Sequence, residues 1–162
     1  MANTIKIRRG TKVNLPTLNQ GELAYCTDTD EIYIGDGTSN HPVNVHFIEY
    51  RILDKDTEHS TGTAVGGDFR VPQAMTVLDV GAYCDTAPSG SGTTIDINEN
   101  GTSILSTKIT IDSGEKSSKM ATTQPVISDP SIAADAVITF DIDGVGSTTP
   151  GKGLVVWLKV TF

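Results

Sequence analysis

The last ten residues, GLVVWLKVTF, set the tightest limit on what this chain can fold into. Leu154, Val156, Leu158, Val160 and Phe162 recur at every second position, with Lys159 and Thr161 between them. A period of two puts the first set on one side of an extended strand, the core side, and the second on the other. The same alternation is visible at Ile5 and Ile7, at Leu23 and Tyr25, at Ile32 and Ile34, and at Val43, Val45 and Phe47. Further apolar runs cover 77–83, 94–98, 104–111 and 137–142. No helical period is sustained, and the nearest candidate, DPSIAADA at 129–136, is too short for more than a turn.

Thr, Ser, Gly, Val and Ile dominate over Leu and Ala, a balance that suits half-buried strands joined by tight turns. The sequence therefore predicts an all-β chain. It divides into an N-terminal module over 1–46, a linker or crossover over 47–65, and an antiparallel β-sandwich of jelly-roll type over 66–162. The boundary is marked by RILDKDTEHSTGTAVGGDF, polar and Gly-containing in its middle. A first segment of some 45 residues with about a dozen large apolar side chains cannot remove enough surface from water to fold independently. Its short, interrupted strands fit interlocking with copies of itself, so a homo-oligomer is expected.

A formal charge of −8 and a pI near 4.7 oppose binding to nucleic acid phosphates. No apolar run approaches the roughly 20 residues that span a bilayer, and MANTIKIRRGTK lacks the apolar centre of a secretory signal, so neither membrane insertion nor export is expected. Cys26 and Cys84 read as buried free thiols, with one long-range disulfide as the alternative.

Several stretches imitate sites. In GELAYCTDTDEIYIGDG the carboxylates of Asp28, Asp30, Glu31 and Asp36 suggest calcium, but Ile32 and Tyr33 fall where a donor and the turn glycine belong. A hairpin with a Thr-Asp-Thr-Asp turn and a second turn at Gly35-Asp36-Gly37 fits better. DINENG at 96–101 matches the first half of a calcium loop, yet its twelfth position is Thr107, and Asn100-Gly101 reads as a hairpin turn. Asp141 and Asp143 read as the solvent face of a strand. His41, His46 and His59 lack zinc spacing and are expected at the surface or an interface. GVGSTTPGKG is an incomplete phosphate loop, because Gly follows Lys152. No nucleophile elbow exists and neither cysteine has a nearby histidine, so no enzyme, cofactor or metal is expected. Arg8, Arg9 and Lys12 form the one basic knot, either a solvated turn or an attachment point for an acidic surface. Trp157 belongs to the outer face of the last strand, to an interface or to the core. The loops 89–93 and 147–152 are expected as exposed tips.

Residues 5–40, IKIRRGTKVNLPTLNQGELAYCTDTDEIYIGDGTSN, carry in order Arg8-Arg9-Gly10-Thr11, Thr17-Leu18, Gly21-Glu22-Leu23-Ala24-Tyr25, Thr27-Asp28-Thr29 and Ile32-Tyr33-Ile34-Gly35-Asp36-Gly37-Thr38. This run resembles the N-terminal module of tailed-bacteriophage fibre and tropism-determinant proteins. The resemblance implies an intertwined trimeric β-prism, in which chain exchange supplies the core that one copy lacks. From Gly66 onward, GGDFRVPQAMTVLDVGAYCDTAPSGSGTTIDINENG resembles more loosely the β-sandwich domains of phage virion proteins. Together these imply a non-enzymatic virion protein, assembled in the host cytoplasm and trimeric on the particle surface. Its leading role would be capsid decoration as a cement protein, and its alternative role a short tail or head fibre that contacts the host. Implied partners are its own copies in a homotrimer, the major capsid protein or another virion protein, and a host surface glycan or protein.

Overall fold

The computed structural model describes residues 7–162; the alternation at Ile5 lies outside the described residues. Among them are fifteen strands and two single-turn 3-10 segments, with no α-helix, so the chain is all-β. It divides into two units, Met1–Val45 with Thr161–Phe162, and His46–Val160.

The first unit holds one sheet of β1 (Arg8–Gly10), β2 (Leu23–Cys26), β3 (Glu31–Gly35) and β4 (Asn40–Pro42), in that spatial order. β1 runs parallel to β2, and the other pairs are antiparallel. The acidic stretch is the hairpin that its turn residues predict: 27–30 form the turn, with Asp30 at φ 56°. At the second turn the Asp36 carboxylate accepts from the Thr38 and Ser39 amides, each at 2.7 Å, in place of backbone partners. The unit's core is small. It consists of Leu18, Ala24, Cys26 and Tyr33, with Leu15 half-buried beside them.

The second unit is built from β5 (Val45–Glu58), β6 (Asp68–Arg70), β7 (Met75–Thr86), β8 (Thr93–Glu99), β9 (Thr102–Ser103), β10 (Leu105–Thr107), β11 (Ile109–Ile111), β12 (Val126–Ile127), β13 (Ser131–Ile132), β14 (Val137–Gly144) and β15 (Lys152–Thr161). One sheet runs β11-β8-β14-β6 with β9 beside β8, a second runs β13-β7-β15-β5, and β10 pairs with β12. Ile95, Ile97, Ile109, Ile138, Phe140 and Ile142 of the first sheet share one core with Val77, Val80, Ile52, Leu154, Val156 and Leu158 of the second. Alternation therefore maps onto the buried sides. Asn100 (φ 49°) and Gly101 (φ 84°) make the tight turn between β8 and β9, a conformation these two residue types adopt readily.

Three expectations need correction. The segment 47–65, expected as linker or crossover, is largely β5, a strand of 14 residues. It lies at the end of its sheet, and the charged run Asp54, Lys55, Asp56 and Glu58, loop-like in composition, is the usual protection of an exposed strand edge. The last strand is covered on both sides rather than one, since Val155 and Trp157 are buried together with Leu154, Val156 and Leu158. Phe162, expected on the core side, is 38% exposed. Cys26 and Cys84 are both buried free thiols.

Candidate functional site

The first unit leaves an apolar side of its sheet uncovered. β2 and β3 pair Leu23 with Ile34 and Tyr25 with Ile32, and β4 sets His41 beside Ile34. The Val43 amide donates to the Ile32 carbonyl at 2.8 Å, which extends that row. Because residues opposite one another share a side, Leu23, Ile32, Ile34 and Val43 form one apolar patch, each between 38% and 53% exposed. The opposite side of the same strands buries Ala24, Cys26 and Tyr33. Four side chains of this size are a meagre core for some 45 residues, while the four of the patch, and Val13 besides, face solvent.

The basic knot lies along one margin of this sheet, and its three cations have different fates. Arg8 is neutralised by Glu22, with Nη2 and Nε 2.8 and 2.9 Å from Oε1. The Asn19 amide and the Arg8 guanidinium hold the Glu22 carboxyl below its ordinary value. Lys12 reaches Glu31 at 2.8 Å, and the Thr29 hydroxyl donates to the same carboxylate at 2.7 Å. Arg9 sits opposite Tyr25 on the apolar side, and no carboxylate among the described residues pairs with it. The sequence sets all three together; among the described residues Arg9 is the one of the three without a carboxylate partner.

Glu31 is 4% exposed, so its charge depends on Lys12. Burial pushes its carboxyl up, but the hydrogen bonds from Lys12 and Thr29 outweigh this and hold it below its ordinary value of 4.5. Burial likewise lowers Lys12, and Glu31 together with Tyr33 more than reverses it. A carboxyl that binds its proton less readily when folded lends stability that is complete above 4.5 and fades as pH falls through the lower folded value. Lys12→Ala is expected to cost the first unit about 2 kcal/mol, less than a fully buried pair because Lys12 stays half in water. Amide NMR of β2 and β3 against pH checks it: the native chain should loosen on acidification, and the variant should be loose already at neutral pH.

In the second unit the structure places the remaining sequence candidates. His59, expected at the surface or an interface, is 2% exposed and lies inside the second unit. Its Nε2 lies 3.0 Å from the Gly153 carbonyl, which can only accept, so Nε2 carries the hydrogen and Nδ1 faces the Thr93 hydroxyl at 2.9 Å. Gly151, at φ 92°, closes over the ring, and a Cβ there would stand 2.9 Å from Nδ1. The loops 89–93 and 147–152 meet through Ser89, whose amide donates to Thr149 O at 2.9 Å and whose carbonyl accepts from Thr148 N at 3.0 Å. Gly90, Ser91, Ser147 and Thr148 form their exposed rim, while Thr93 and Gly151 are buried. Asp96, the first residue of the apparent calcium loop, is buried, and its carboxylate is taken by Lys108 at 3.0 Å, Ser103 Oγ at 2.6 Å and the Ile97 amide at 2.8 Å. Lys108 also holds Asp143 at 2.7 Å, and these two carboxylates, Asp143 foremost, raise its ammonium above its ordinary value. Asp141 accepts the Ala64 amide at 2.9 Å.

Trp157 is 9% exposed and lies against the neighbouring strand, where Gly81 makes room for it: a Cβ there would be 2.3 Å from Cζ2. The Phe47 ring is 6.3 Å away and tilted by 56°. The Lys119 ammonium stands over the ring at 5.0 Å from its centroid, an exposed contact worth about 0.5–1 kcal/mol.

Residues 5–39 match the family model described as the major tropism determinant N-terminal domain. No curated protein and no solved structure matches the chain. The matched stretch takes in β1 to β3, the basic knot and most of the uncovered apolar patch. It supports a virion-associated protein related to phage tails or tropism.

Proposed function

We propose that this chain is a non-enzymatic structural protein of a tailed-phage virion, a short fibre-like protein that assembles as a homotrimer on the particle surface and contacts the host. The bare apolar side of the first unit carries the reading, because Leu23, Ile32, Ile34 and Val43 lie uncovered within and just beyond the segment that matches a tropism-determinant module. Self-association through that side supplies the covering layer that the small core of one copy lacks. Of the residues offered for attachment, Arg9 is the cation that an acidic partner surface on the virion would meet, since Arg8 and Lys12 are balanced within the unit.

The match to a tropism module favours the fibre over the capsid-decorating role, and the two part on one experiment. Fluorescently labelled protein should bind susceptible cells saturably and fail to bind purified phage shells. Saturable binding to shells at a multiple of the three-fold sites, with no binding to cells, overturns the fibre reading and assigns capsid decoration.

A further inference from the structure

Beside the indole of Trp157 opens a cleft of about 220 Å³ lined by Asp79, Val80, Ser118, Lys119, Gln124 and Trp157. Drug-sized pockets run from roughly 300 to 1,000 Å³, so this one has room for a single ring-sized group. Its floor is unusual for a sheet surface. Gly81 on β7 lets the indole lie across the strand, and the Lys119 ammonium covers the ring from above. Lys119 is exposed and forms no salt bridge among the described residues, so the cover is a flexible side chain held by one weak contact.

Two other polar groups beside the ring, Asp79 and Gln124, are hydrogen-bonded on one side only. Asp79 spends Oδ1 on the Val80 amide at 2.9 Å, and Oδ2 has no partner among the described residues. Gln124 donates through Nε2 to the Ser118 and Ala121 carbonyls at 3.2 and 2.8 Å, which pins its amide and leaves Oε1 to accept. Lys119 adds ammonium donors. An anion in the cleft would be opposed by Asp79, a cation would compete with Lys119 for the same ring, and a purely apolar group would offer no donor to the Asp79 and Gln124 oxygens. A hydroxylated ring suits all of them. Its C–H face packs on the indole, its hydroxyls donate to Asp79 and Gln124, and an oxygen accepts from Lys119 once that side chain swings aside.

We propose that the Trp157 cleft binds one sugar ring, a site that rests on the host-contact reading above and gives it a ligand class. Trp157 is the chain's one tryptophan, so emission excited beyond the tyrosine absorption band reports on the cleft. The probes are the methyl glycosides of glucose, galactose, mannose, rhamnose and N-acetylglucosamine, titrated into the full chain to high millimolar concentration. At least one should change Trp157 emission saturably with a millimolar dissociation constant. Asp79→Asn and Gln124→Ala, both at exposed positions, should each weaken binding about fivefold, the first without moving the melting temperature because Asn keeps the bond to the Val80 amide. A flat titration with every probe, or affinity unchanged in both variants, overturns the proposal. Cell binding by the same protein separates the two ideas. Cells bound without any sugar response sink the cleft and leave the fibre, whereas a sugar response without cell binding sinks the fibre and leaves the cleft.

Discussion

Replacing Ile34 by glutamate is expected to break the proposed trimer into 17.1 kDa monomers in sedimentation equilibrium while the second unit melts as before. Ile34 stands beside Leu23 and His41 at the centre of the uncovered side and is 38% exposed in one copy, so a single chain loses little by the change. In the assembly the same position would be dry. Burying an isoleucine contributes about 1.5–3 kcal/mol, and a carboxylate there must instead be stripped of water without a partner, a penalty of several kcal/mol repeated in each copy. Association should weaken by at least roughly a thousandfold. A variant that remains trimeric would show that this side of the sheet is not where copies meet.

The second large effect belongs to a residue with no part in attachment. His59→Ala removes a ring that ties the end of β5 to Thr93 and Gly153, leaving a buried carbonyl and a buried hydroxyl without their partner and a void beneath Gly151. The unpaired groups and the cavity together should cost about 3 kcal/mol, which lowers the melting temperature of this unit by about 10 °C. Differential scanning calorimetry reads it directly. A shift of only a degree or two would mean that the loops 89–93 and 147–152 hold their position without the imidazole.

Local chemistry makes much of this fold legible. The hairpin turns at 27–30 and at Asn100-Gly101 follow from short-range preferences, and the buried side of β14 follows from period-two spacing. What the sequence hides depends on partners far along the chain. His59 looks like a loop residue because Thr93 and Gly153 lie 34 and 94 positions away. The basic knot looks uniform because Glu22 and Glu31, which neutralise Arg8 and Lys12, stand 14 and 19 positions away. β5 resembles a linker because the charges that guard a strand edge have the composition of a loop. Trp157 fits outer face, interface and core equally well by its own spacing; Gly81 on the adjacent strand and Lys119 above the ring decide its place. The uncovered patch, by contrast, is foreshadowed by simple arithmetic, a segment too short and too poor in large apolar side chains to close a core of its own.

Amide hydrogen exchange of β2 and β3, followed across a wide range of protein concentration, tests the account at its root. If the first unit completes its core with copies of itself, protection of these strands should climb with concentration in step with the sedimentation mass. Full protection in a dilute solution where every particle weighs 17.1 kDa would contradict it.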